Sequence, residues 1–141
     1  MSERHMLDIV RDQRPVTLPA TATVKEACRC MNERRVGAVL VTDDANRLLG
    51  IFTGRDAICR VLAQGKSADG THLSEVMTRK PHCMPPGRTA IEALRLMQDG
   101  GFRHIPIIEK GCVVGIVSRG DFRGLEQARL DEETHIFERL W

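Results

Sequence analysis

At 141 residues, 42% of them hydrophobic, the chain has the size and apolar content for one compact domain or for two small halves sharing a core. Lysine and arginine total 21 against 19 acids, and the formal charge of +2 is too small for the broad positive field of a nucleic-acid binder; 4% aromatics without a tyrosine offer no stacking platform for single strands. No apolar run nears the roughly 20 residues that span a bilayer, and Met1-Ser2-Glu3-Arg4-His5 lacks a signal-peptide core, so the expected compartment is the cytoplasm, with no membrane partner.

Taken in chain order, the first elements are apolar Leu7 and Val10, then an extended segment Pro15-Val16-Thr17-Leu18-Pro19. Thr23 is placed to cap a helix whose apolar residues Val24, Ala27 and Met31 fall at helical spacing. Two short apolar strands follow, over 38–42 and 48–53, joined by the turn-forming Asp43-Asp44-Ala45-Asn46. A further helix begins near Arg55, and the polar stretch from Gln64 to Gly70 reads as a linker.

The same order then recurs. Pro15 aligns with Pro81, Thr23 with Thr89, Leu7 with Leu73, Val10 with Val76 and Met31 with Met97, all at an offset of 66 residues. After a loop one residue shorter, Gly50-Ile51-Phe52-Thr53-Gly54-Arg55-Asp56 meets Gly115-Ile116-Val117-Ser118-Arg119-Gly120-Asp121. The second pair of strands is expected over 105–108 and 112–118, with the next helix starting near Gly120. The expected division is therefore one repeat over 1–64, a linker over 65–72 and a second repeat over 73–124. Residues 125–141 read as an amphipathic C-terminal helix, with Leu130, Ile136, Phe137, Leu140 and Trp141 beside the acidic Asp131-Glu132-Glu133.

This is an α+β pattern of two βαββα-type repeats. Neither repeat alone covers both faces of its sheet, so the two are expected to cover each other about a pseudo-twofold axis, leaving two equivalent clefts at the joint.

Each cleft would hold a strand-to-helix corner of the form Gly-Ile-x-Thr/Ser-x-x-Asp. The free N–H groups of a helix start and the hydroxyl of Thr53 or Ser118 suit a phosphate, and the carboxylate of Asp56 or Asp121 can accept from both hydroxyls of a ribose diol. A Ser/Thr-x-x-Asp sequence is also a capping box that needs no ligand, and both roles can coexist.

The two units resemble CBS domains, the small modules first described in cystathionine β-synthase and found in IMP dehydrogenase and in the γ subunit of AMP-activated kinase. The resemblance rests on Thr-x-x-Glu-Ala leading into each helix, on Val36-Gly37-Ala38-Val39-Leu40-Val41 and Phe102-Arg103-His104-Ile105-Pro106-Ile107, and on the duplicated Gly-Ile-x-Thr/Ser-x-x-Asp. It implies a tandem pair of the stand-alone bacterial type that binds an adenosyl ligand, AMP foremost, with ATP, ADP or NAD(H) as further candidates. It also implies one site from Asp121, Ser118 and Ile116 with Val36 and Gly37, and a second from Asp56, Thr53 and Ile51 with Phe102 and Arg103. A basic residue at Arg103 or His104 would meet phosphate. Gly37 and Ala38 stand at those positions in the first unit, so the two sites are expected to bind unequally.

An enzyme needs a nucleophile, a base or a metal cluster. The histidines at 5, 72, 82, 104 and 135 are scattered, and Cys28, Cys30, Cys59, Cys83 and Cys112 show no Cys-x-x-Cys spacing, so neither catalysis nor a metal site is expected. The cysteines read as buried reduced thiols. The resulting expectation is a nucleotide sensor, a homodimer that reports to an effector protein. The alternative is a ligand-free dimerisation adaptor.

Overall fold

A computed structural model of the chain describes residues 4–122. The C-terminal helix expected over 125–141 lies outside the described residues. Along the chain run α1 (Met6–Val10), β1 (Thr17–Leu18), α2 (Val24–Arg34), β2 (Ala38–Thr42), β3 (Leu48–Thr53) and α3 (Gly54–Asp56), which widens into a π-helical segment (Ala57–Leu62). Then come α4 (Leu73–Val76), β4 (Thr78–Arg79), α5 (Ala90–Gly100), β5 (His104–Glu109), β6 (Cys112–Ser118) and a 3-10 turn at Arg119–Asp121.

The two long helices start and stop for the same reasons. Thr23 Oγ1 accepts from the Glu26 N–H at 3.2 Å, and Thr89 Oγ1 from the Glu92 N–H at 3.3 Å, relieving N–H groups that have no intrahelical partner. Both helices end on a left-handed residue, Arg35 at φ 53° and Gly101 at φ 71°.

The repeat is visible in the sheets. β1 runs parallel to β2, pairing Leu18 with Val41; in the other half Met84 makes a parallel bridge to Ile107, the same pair 66 residues on. The β2–β3 and β5–β6 hairpins are antiparallel, and each has its register shift at the matching place, Val41/Thr42 and Ile107/Ile108.

Packing, however, does not follow chain order. Leu73, Val76 and Met77 sit in the core of the first half with Val24, Ala27, Val39, Val41 and Phe52, while β4 extends that half's sheet alongside β3. In return, Met6 and Val10 of α1 lie in the core of the second half with Ala93, Met97, Ile105, Ile107 and Val117. Backbone bonds fasten both exchanges: Leu73 N–H to Ala22 O at 2.9 Å, and Ala90 N–H to Arg4 O at 2.8 Å.

The strand alternation explains how the halves join. Val39, Val41 and Phe52 face the first half's helices, whereas Ala38, Leu40 and Ile51 turn the other way, onto Val113 and Ile116. Asn46 adds a polar stitch, its side chain donating to Val113 O at 3.0 Å and its carbonyl accepting from Val113 N–H at 3.0 Å.

Candidate functional site

The corner at the end of β3 is built by its own residues. Asp56 Oδ2 accepts from the Thr53 N–H at 3.0 Å and the Thr53 hydroxyl at 3.2 Å, and the Asp56 N–H donates to Thr53 Oγ1 at 3.2 Å. The capping box of this motif is thus formed, and it buries Asp56 to 8% exposure. The other oxygen, Oδ1, faces outward to Thr78 Oγ1 at 3.2 Å and Arg60 Nε at 3.5 Å.

Around this corner opens a cleft of about 800 Å³ between the halves. Ile51, Thr53, Arg55, Asp56 and Arg60, with Thr78 of the strand paired beside them, form one wall; Phe102, Arg103 and His104 form the other, and Lys80 follows β4 in the segment that leads to the second half. The volume is in the range of sites that enclose small organic ligands. Asp56 is the sole carboxylate among these lining residues, against four cations, Arg55, Arg60, Lys80 and Arg103, so the cleft carries a positive excess suited to an anion. Phe102 lies over Gly100 and stacks on His82 with ring centroids 5.2 Å apart, giving the second wall a flat aromatic surface.

The second corner is made in the same way. Ser118 N–H and hydroxyl donate to Asp121 Oδ2 at 2.7 Å and 3.2 Å. Its strand edge is already engaged: the Gln13 side chain donates to Ile116 O at 2.7 Å and accepts from the Ile116 N–H at 2.9 Å, acting as a one-residue strand. Ile116, Ser118, Asp121 and Val36 do not line the Asp56 cleft, whereas Gly37, expected beside Asp121, does. There a β-carbon on Gly37 would come within 3.2 Å of His104 Nε2, so the two strand starts meet at the axis between the corners.

Of the residues expected from sequence, Ile51, Thr53 and Asp56 are therefore brought together with Gly37, Phe102, Arg103 and His104. Thr78, Arg60, Lys80 and His82 were not foreseen. The one signal for Lys80 and His82 was their place around Pro81, in the segment that repeats Pro15. The cysteines are all unpaired, as expected, but they are not buried: Cys59 and Cys83 are exposed, and Cys28, Cys30 and Cys112 are only partly covered. Cys28, Cys30 and Cys59 lie on helical segments, Cys83 in a loop and Cys112 at the start of β6, where a thiol reaches the surface. Among the described residues no His/Cys/Asp/Glu group is placed to hold a metal ion, and no helix is long and apolar enough to cross a membrane.

A family model described as CBS domain matches the chain twice, over residues 8–62 and 73–126. CBS domain-containing protein CBSCBSPB3 of Arabidopsis thaliana is 43% identical over 108 residues, which cover 77% of this chain and 19% of the relative. The chain spans about a fifth of the length of the curated relatives it matches first. Among solved structures, a CBS-domain containing protein from Agrobacterium tumefaciens is 33% identical at a TM-score of 0.74, covering 88% of this chain and 95% of the other. A CBS domain protein from Pyrobaculum aerophilum complexed with AMP is 25% identical at a TM-score of 0.80, covering 91% and 98%.

Proposed function

We propose, from the premise that this chain belongs to the CBS domain family, that its Asp56 cleft binds an adenine nucleotide, AMP foremost, and thereby senses it. The pair is a non-catalytic regulatory module of the tandem CBS type. One observation carries the ligand reading: a hydroxyl and a carboxylate from one repeat share a cleft of about 800 Å³ with four cations, of which Arg103 comes from the other repeat. The AMP complex of the Pyrobaculum aerophilum relative supports the choice of nucleotide.

The chemistry follows from the outer oxygen of Asp56, which Thr78 and Arg60 approach. Its Oδ2 is committed to the corner, so a ribose diol would bind at Oδ1 and displace the Thr78 hydroxyl, which can rotate to another acceptor. Arg103, with Arg55 and Lys80, meets the phosphate. The Asp121 corner has Gly37 and Ala38 where the first cleft has Arg103 and His104, so it lacks those phosphate contacts and binds more weakly.

Because the ligand would touch both repeats, binding favours the arrangement in which Asp56 and Arg103 face each other. It shifts that arrangement only by its difference in affinity between the two states, and an effector protein reads the shift.

Calorimetric titration with AMP, ADP, ATP, NAD and S-adenosylmethionine tests this. The expected result is one nucleotide per chain, with affinity lowered about tenfold or more by Asp56→Asn, which removes the charge but keeps an acceptor for the Thr53 N–H. Asp121→Asn changes affinity less. Absence of any binding across the panel would sink the reading and favour the adaptor alternative, for which Ile58 and Leu62, 61% and 70% exposed on one helix, offer a contact surface for a second copy.

A further inference from the structure

Of the cleft's four cations, only Arg60 is matched by a carboxylate, Asp56. Among the described residues Arg55, Lys80 and Arg103 form no ion pair, and the Lys80 ammonium makes no hydrogen bond either. Lys80 also holds its place against the preference of its backbone. Its φ is +49°, a region that non-glycine residues seldom enter, and it directly precedes Pro81, whose ring restricts the residue before it. Arg14, its counterpart before Pro15, does not share the positive φ. The repeat therefore does not demand this turn, and a glycine would make it with less strain. Arg35, Asn46 and Lys110 also have positive φ, so the strain supports an assignment for Lys80 only together with its place in the cleft lining and its lack of an internal partner.

We propose that Lys80 is a phosphate-binding residue of the cleft, held beside Arg55 and Arg103 to read the phosphate count of the bound nucleotide. This rests on the nucleotide reading above. A monophosphate brings a charge of about −2 near neutral pH, which leaves one of the three unmatched cations without a full partner. A longer phosphate chain engages all three. The contribution of Lys80 therefore grows from AMP to ATP.

The test compares the intact chain with Lys80→Gly and Lys80→Gln, titrating AMP, ATP and inorganic pyrophosphate and measuring the unfolding midpoint. Both variants are expected to weaken AMP by about tenfold and ATP by more, as loss of a charge-assisted contact does, and to flatten the dependence of affinity on salt. Lys80→Gly leaves the unfolding midpoint unchanged or raises it, since it relieves the backbone. Affinities that change by less than about threefold in both variants, or equal losses for AMP and ATP, overturn the role of Lys80 while leaving the nucleotide reading in place. If the intact chain binds pyrophosphate in a Lys80-dependent way but no nucleotide, the role of Lys80 stands and the nucleotide reading falls. If it binds neither, both fall.

Discussion

His104 lies beside Gly37, near the start of both strand pairs, and its surroundings shift its titration. Burial pushes its pKa below the ordinary value of 6.5, the neighbouring Arg103 guanidinium pushes the same way, and the Asp121 carboxylate opposes them. The folded chain thus holds His104 neutral where the unfolded chain would already take up a proton. That stability is fully present above the unfolded value of 6.5 and is lost as pH falls from there through the lower folded value. His104→Ala, which installs the residue found at the matching Ala38, is expected to reduce the drop in thermal midpoint on acidification through this window. An equal drop in both proteins would contradict the assignment. At this scale sequence made Thr53, Asp56, Arg103 and His104 legible, because they stand in or beside a duplicated motif. Thr78 and Arg60 were not legible as partners of Asp56, since Thr78 reaches the carboxylate only after β4 has paired onto β3.

The elements explain a feature of the motif that ligand chemistry does not. A β-carbon on Gly115 would lie 2.6 Å from Val10 Cβ and 2.7 Å from Gln13 Oε1; one on Gly50 would lie 2.7 Å from Thr78 O. Each glycine therefore lets the exchanged segment, α1 with Gln13 or α4 with β4, lie flat on the strand. Gly115→Ala is expected to cost about 1–3 kcal/mol through overpacking, measured by chemical denaturation, and to disturb the Gln13 bonds to Ile116. A change below about 0.5 kcal/mol, the range of neutral surface substitutions, would show that α1 shifts freely. The helix starts at Thr23 and Thr89 and both hairpins were legible because their signals are local: a hydroxyl three residues before an N–H, and apolar alternation. Sequence also anticipated a helix after each corner. The first is found as α3 with its π-helical continuation, whereas the second corner is followed by a 3-10 turn at Arg119–Asp121 and the rest of that expectation lies outside the described residues.

For the whole molecule, the exchange of α1 and α4 fastens each half to a segment of the other. Met6 is fully buried, yet its neighbours Met97, Ile105 and Val117 belong to the distant half of the chain. Met6→Ala is expected to destabilise the protein by about 2–5 kcal/mol, the cost of emptying a core site. Hydrogen exchange should quicken first in α5, β5 and β6 and later in β2 and β3. Loss of protection confined to the first half would refute the exchanged packing.

Sequence by itself determined that there are two copies of one unit, where their long helices begin, which residues form the two hairpins, and which two corners carry a hydroxyl and a carboxylate. Those properties depend on neighbours a few residues apart and on duplication, and both are written in the order of residues. Only the tertiary structure decided which repeat each short helix packs on, and that the Asp56 corner opens onto Arg55, Lys80 and Arg103 while Gln13 takes the strand edge beside Asp121. Because the repeats share one pattern, packing within a repeat and packing exchanged between repeats look alike along the chain. Contacts between residues dozens of positions apart choose between them.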